Sequence, residues 1–151
     1  MKRSGGGNRL LSLRRTSSAR WAGPASSGAG TLELGATEFA FSLKTRVGDE
    51  PATNPEELLG AAHAGCFAMS LANECENNGT AAESLQVKAA IHLVQQSDGF
   101  RIPRVDLHVT GRVPGVDAAR FVQLATVAEA GCLVSRLFDA EIVLTAELEK
   151  A

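Results

Sequence analysis

One run restricts the folds open to this chain more than any other: Thr53-Asn54-Pro55-Glu56-Glu57-Leu58-Leu59-Gly60-Ala61-Ala62-His63-Ala64-Gly65-Cys66-Phe67. Asn54 is a good helix N-cap, Pro55 suits the first helical position, and Glu57 supplies the returning carboxylate of a capping box. An apolar stretch continues from Leu58 to Leu71, and Asn77-Asn78-Gly79 stops it. Gly60, Ala61, Ala62, Ala64, Gly65 and Ala68 crowd the first half of this stretch, where their small size lets another backbone come close. The spacing predicts one long helix, central and buried on most sides.

The rest of the chain must be arranged around it. Short segments at Ala19–Ala22, Thr31–Leu34 and Phe39–Lys44 read as strands of a meander, separated by Gly-, Ser- and Pro-rich turns. After the helix, Leu85, Val87, Ala89, Ile91 and Leu93 alternate with Gln86, Lys88, Ala90 and His92. Beyond Ser97-Asp98-Gly99, Val105, Leu107 and Val109 alternate with Arg104, Asp106, His108 and Thr110. Two such runs joined by a short Gly-containing turn predict an antiparallel hairpin. Pro103 cannot donate to a ladder, which places it near a strand end or an edge. Asp117 can cap a helix carrying Phe121, Leu124, Ala125 and Ala128 on one face, Gly131 ends it, and a short helix is expected from Leu133 to Phe138. Ile142, Leu144, Ala146 and Leu148 mark a last strand. The order βββ-α-ββ-α-(short α)-β is that of an α+β domain with antiparallel sheet packed on a central helix. A basic tail over residues 1–13 and a single domain over residues 14–151 are expected.

With 151 residues the chain is long enough for one domain with a real core, and 44% hydrophobic residues argue against disorder in its main body. A net charge of −2 gives no electrostatic reason to bind nucleic acid or an anionic membrane. No apolar run approaches the ~18–20 residues of a membrane span. Three cysteines suit a reducing setting better than a secreted disulfide scaffold, so a cytoplasmic location is expected. The first 32 residues, however, contain Lys2, Arg3, Arg9, Arg14, Arg15 and Arg20 and no Asp or Glu. That composition resembles an organelle import segment, and a plain basic tail or an upstream start codon fits it as well.

Cys66 and Cys132 carry the chemistry. Cys66 lies in the strongly initiated helix, and Cys132 follows Gly131 where a second short helix is expected to begin. Near a helix start, unpaired backbone N–H groups favour a thiolate. Two such thiols far apart in sequence suggest a nucleophile and a partner that resolves it. Cys75, nine residues after Cys66 and on roughly the opposite helix face, reads as core. Metal ligation has no support from the spacing of the three cysteines and of His63, His92 and His108. Peroxide reduction fits better: a thiolate attacks the O–O bond and a second thiol condenses with the sulfenic acid. Such a site needs a cation to hold the sulfur ionised and a carboxylate to orient that cation. Arg46, at the end of the third strand, and Glu56, in the first helical turn, are the candidates. Two other readings stay open: a thiol hydrolase using Cys66 with His63, and a non-enzymatic stress-associated binding dimer with inert thiols.

At these residues the chain resembles the family of osmotically inducible protein C and the organic hydroperoxide resistance proteins (the OsmC/Ohr family). The run Thr53–Phe67 is nearly the family signature, and His63 preceded by Lys44-Thr45-Arg46 resembles the osmotically inducible branch more. Gly131-Cys132-Leu133-Val134-Ser135 stands where the family usually has Gly-Cys-Pro-Val-Ser. Arg20-Trp21-Ala22-Gly23 and Val113-Pro114-Gly115-Val116-Asp117 agree more weakly. The resemblance implies an intertwined homodimer that reduces organic hydroperoxides, and hydrogen peroxide less well. It implies Cys66 as the peroxidatic thiol and Cys132 as the resolving one, with Arg46 activating the thiolate and Glu56 holding Arg46. No metal or organic cofactor is implied, and a dithiol, with lipoyl groups of a lipoylated protein favoured, would recycle the enzyme. Leu133 departs from the usual Pro, which predicts looser placement of Cys132. Glu56 and Cys66 would lie ~15 Å apart along one straight helix. A compact site therefore requires either a break near Gly60 or groups from two chains.

Overall fold

Three short strands open the part of the chain that our computed structural model describes, residues 11–150. Residues 1–10 of the expected basic tail lie outside it. The chain divides into two compact units, Met1–Thr53 and Asn54–Ala151. In the first, β1 (Ser18–Ala22), β2 (Ala29–Leu34) and β3 (Thr37–Phe41) form an antiparallel meander in that order. Gly30 is opposite both Trp21 and Phe41. A Cβ on Gly30 would sit 2.5 Å from the Phe41 ring, so the glycine lets Phe41 lie flat over the strand, its ring centroid 5.4 Å from that of Trp21. Arg20 pairs across the sheet with Glu33 and Glu38.

The third strand stops at Phe41, short of the expected Lys44. Ser42 and Thr45 form a reciprocal capping box, with Ser42 N–H donating to Thr45 Oγ1 (2.9 Å) and Thr45 N–H to Ser42 Oγ (3.2 Å). That local exchange starts a short helix, α1 (Leu43–Val47), and breaks the strand. Arg46 is therefore in the last turn of a helix and not at a strand end.

The second unit holds the hydrophobic core. Helix α2 runs unbroken from Pro55 to Asn77, with Asn54 Oδ1 accepting from Glu57 N–H (2.9 Å). Glu56, Gly60, His63, Phe67, Leu71 and Cys75 point into the unit. Ala61, Ala62, Gly65, Met69 and Ala72 are exposed. Within one chain the helix is thus buried on one face, not on most sides.

The buried face of α2 rests on β4 (Ser84–Gln96) and β5 (Gly99–Arg112), an antiparallel hairpin turned at Ser97-Asp98. Pro103 lies inside β5, where His92 pairs with Arg104 but Val94 with Arg101. Two residues of β5, Ile102 and Pro103, oppose Leu93 alone, and this bulge accommodates a residue with no N–H. Helix α3 (Ala118–Gly131), capped by Asp117, crosses back and is followed by a 3-10 turn, Ser135–Leu137, and β6 (Glu141–Leu148). Because a helix connects them, β6 joins β5 in parallel. The second sheet, order β4-β5-β6, is consequently mixed where sequence patterning predicted antiparallel pairing throughout. The α+β class stands. Phe121, Leu124, Ala125 and Ala128 pack on Phe67, Leu71, Leu107 and Val109 in one cluster, which also takes in Cys75 and Cys132. Among the described residues no helix is long and apolar enough to cross a membrane.

Candidate active site

Cys66 is the twelfth residue of a 23-residue helix, more than two turns from the N–H groups at its start. The field of a helix end falls off within the first turn, so proximity to the N-terminus cannot activate this sulfur. Cys132 caps the C-terminal end of α3, its backbone extended (φ −66°, ψ 121°), and the segment after it makes only three residues of 3-10 turn in place of the expected helix. The helix-start argument therefore applies to neither cysteine: Cys66 lies too far along its helix, and no α-helix begins after Cys132. Both thiols are free, Cys66 half-buried and Cys132 1% exposed. Cys66 packs against the core cluster to which Cys132 belongs.

Two hydrogen bonds tie the cysteine-bearing segments together. His63, three residues before Cys66, has its Nε2 2.7 Å from Oγ of Ser135, three residues after Cys132. Ser70, four residues after Cys66, donates its hydroxyl to the carbonyl of Ala128, four residues before Cys132 (2.9 Å). The offsets match with opposite sign, so the two segments run antiparallel across these bonds with the cysteines at the midpoint of the alignment.

His63 is fully buried, and its ring lies 5.2 Å from that of Phe138 at 32°. Burial pushes the imidazole pKa down from 6.5, because a charged ring has lost its water and gained no carboxylate. The ring is neutral at pH 7. Either Nε2–H donates to Ser135 or the Ser135 hydroxyl donates to Nε2, and in both forms Nδ1 has no hydrogen-bond partner among the described residues. Neither nitrogen is bonded to Cys66, so the geometry does not supply the Cys–His couple a thiol hydrolase needs. Ser135 is the residue that spacing arguments missed. It sat in the Gly-Cys-x-Val-Ser motif, but no periodicity links positions 63 and 135.

Glu56 is buried in the first turn of α2. The helix does not break near Gly60, whose missing side chain instead lets Ala89 O approach, 3.3 Å from where a Cβ would be. Ten residues of continuous helix keep Glu56 and Cys66 ~15 Å apart along its axis. They do not meet within one chain. Arg46 belongs to the first unit. Phe67, considered for a substrate pocket, is core at 0% exposure, and Met69 is 78% exposed. Cys75 is fully buried, and desolvation, with Glu74 nearby, pushes its thiol pKa up. No group of three or more His, Cys, Asp or Glu side chains among the described residues could hold a metal ion.

Residues 48–147 match the family model described as OsmC-like protein. The chain belongs to the OsmC family. It is 36% identical over 142 residues to the Peroxiredoxin OsmC of Escherichia coli strain K12, covering 92% of this chain and 99% of that protein. Solved structures share its fold. An OsmC-like protein from Mycoplasma pneumoniae superposes with a TM-score of 0.73 at 11% identity, covering 93% of this chain and 100% of that one. An organic hydroperoxide resistance protein from Elizabethkingia anophelis gives 0.69 at 22% identity, covering 93% and 100%. In this OsmC-family chain, the family match contains Glu56, Cys66 and Cys132 and begins just after Arg46.

Proposed function

We propose that this protein is a thiol peroxidase that reduces organic hydroperoxides, and hydrogen peroxide less well, through Cys66 and Cys132. The observation that carries the reading is the pair of hydrogen bonds, His63–Ser135 and Ser70–Ala128, that bracket the two cysteines at equal offsets. Kinship to a protein named peroxiredoxin at 36% identity supports the same chemistry. The Cys66 thiolate attacks the terminal oxygen of ROOH. The S–O bond forms as the O–O bond breaks, and the alkoxide leaves as ROH after taking a proton. Cys132 then attacks the sulfenic sulfur, forming the disulfide and releasing water. A dithiol donor, of which a lipoyl group is one, restores both thiols by exchange and is itself oxidised to its cyclic disulfide.

Arg46 holds the thiolate ionised and binds the peroxide oxygen, and Glu56 orients Arg46. The continuous helix between Glu56 and Cys66 favours a homodimer in which these groups come from two chains. Three further features support the dimer. Ala62, Gly65 and Met69 present a small apolar stripe to solvent on α2, and a Cβ added at Gly65 would meet nothing within 4 Å. A groove of about 550 Å³ runs between α2 and the edge strand β4, lined by Gly60, Ala61, Ala64, Val87 and Ala89 among others. Finally, no hydrophobic side chain of the meander β1–β3 is fully buried, with Leu32, Phe39 and Phe41 only partly so, and a small sheet gains stability from an apolar surface to pack on. The three free thiols fit a reducing, cytoplasmic setting.

One equivalent of cumene hydroperoxide added to reduced protein, followed by mass-spectrometric mapping of the cysteines, tests the reading. A rapid Cys66–Cys132 disulfide is expected. Unchanged thiols would refute it and leave a binding protein with the OsmC fold.

A further inference from the structure

We propose that His63 and Ser135 are positioning residues for the second chemical step, holding Cys132 where it can reach the Cys66 sulfenic acid. The inference rests on the peroxidase reading above and adds to it a division of labour. Two cross-ties join the cysteine-bearing segments, but they act on different parts. Ser70 grips Ala128 inside α3, four residues before Cys132 and within regular helix. His63 grips Ser135, which lies beyond the helix end. Cys132 is the hinge between these two anchor points.

Of the segment after Cys132, Val134 packs against the core cluster and the rest is held more lightly. Leu133 and Leu137 are 63% and 74% exposed. Its backbone order comes from Arg136 N–H to Cys132 O (3.2 Å) and Leu137 N–H to Val134 O (3.0 Å), which make residues 132–137 a compact turn. A compact turn moves as one body, so fixing Ser135 fixes Cys132. The fixing bond is buried at both ends, with His63 0% and Ser135 8% exposed, and the Phe138 ring packs beside the imidazole, 5.2 Å between centroids. Burial also keeps the ring uncharged and excludes water that would compete for Ser135.

The consequence is specific to resolution. Attack of the Cys66 thiolate on the peroxide draws on Arg46 and Glu56 in the reading above and on neither His63 nor Ser135. Condensation needs two sulfurs brought to bonding distance, with Cα atoms about 4.4–6.8 Å apart. Cys132 gives up its proton, its sulfur displaces the sulfenic oxygen, and water leaves. Loosening the turn lowers the fraction of time the resolving sulfur is in reach without altering the first step.

The test compares reduced wild-type protein, Ser135→Ala, Ser135→Thr and His63→Leu, each mixed with cumene hydroperoxide and quenched at intervals for mass spectrometry. The readouts are the rate of Cys66 sulfenate formation and the rate of Cys66–Cys132 disulfide formation. For Ser135→Ala we expect sulfenate formation within twofold of wild type and disulfide formation slowed about tenfold or more, with Cys66 sulfinic acid appearing at lower peroxide excess. Ser135→Thr keeps the hydroxyl and restores the disulfide rate. His63→Leu fills the same buried space with apolar atoms and repeats the Ser135→Ala result from the other side of the bond, which covers the case in which the alanine variant does not fold. Disulfide formation at the wild-type rate in Ser135→Ala and His63→Leu overturns the proposal, as does equal slowing of both steps. Wild-type protein that forms neither sulfenate nor disulfide overturns the peroxidase reading and this one with it.

Discussion

Histidine 63 shows how a single buried side chain sets a measurable property of the molecule. Its pKa is lowered in the folded chain by burial, so between that value and 6.5 the unfolded chain binds a proton that the folded chain refuses. Stability from this group is present above pH 6.5 and is lost as pH falls through the window below it. The urea midpoint should hold steady from pH 8 to 7 and decline below 6.5, and His63→Leu should remove that part of the decline. Asp106 contributes in the same sense but much lower, since hydrogen bonds from His92 and Arg104 hold its carboxyl below 3.8. A loss beginning near pH 6.5 therefore belongs to the imidazole. Cys75 provides a contrast among the thiols. Fully buried and with its pKa raised, it should resist alkylation by iodoacetamide in native protein while Cys66 is modified first. Cys75→Ala should cost about 1 kcal/mol of stability and leave the rate of peroxide consumption unchanged.

Among the elements, α2 and the two flanking strand pairs were legible from sequence, because capping chemistry and period-2 alternation are local signals. Asn54, Pro55, the Ser97-Asp98 turn and the inward Phe121, Leu124, Ala125 and Ala128 all lie where pattern alone puts them. The misreadings came where a local bond overrode a propensity or where a partner lay far away in the chain. Ser42 and Thr45 turned the end of an alternating strand into a helix. The parallel β5–β6 ladder depends on where α3 deposits the chain, which alternation within β6 cannot reveal. The His63–Ser135 bond spans 72 positions and left no trace in spacing.

Close packing between elements yields two further expectations. A Cβ on Gly111 would fall 2.5 Å and 2.8 Å from atoms of the Phe121 ring and 3.0 Å from Leu85. The ring sits deep in the core, with nowhere to retreat. Gly111→Ala should cost about 1–3 kcal/mol, read as a lowered thermal midpoint. Leu133 has the opposite prospect. Cys132 before it is at φ −66° and ψ 121°, the extended region that a residue preceding proline prefers, and the Leu133 side chain is largely exposed. Leu133→Pro should fold, gain about 0.4–1 kcal/mol through a less flexible unfolded chain, and speed disulfide formation.

On the scale of the whole molecule, assembly is probed most cleanly at Gly65. The site has open space in the single chain, so Gly65→Gln should leave circular dichroism unchanged. If a second copy packs on this face, the longer side chain should halve the sedimenting mass and reduce hydroperoxide turnover at least tenfold. Unaltered mass and turnover would show that the exposed stripe of α2 serves no contact between chains. If Glu56 and Cys66 serve one site, their separation makes the same demand, because a rigid rod of ten residues cannot fold back on itself.

The unequal exposure of the two sulfurs would give the regeneration half of the proposed cycle a direction. Position 132 is sealed and position 66 partly open, so in that cycle a reductant's thiolate would strike the bridge at position 66. The transient adduct would then hang on the helix, with the sealed sulfur the group expelled. If the cycle runs as proposed, oxidant and reductant would enter by one door and the second thiol would meet neither, a polarity of traffic set by how deeply each atom lies.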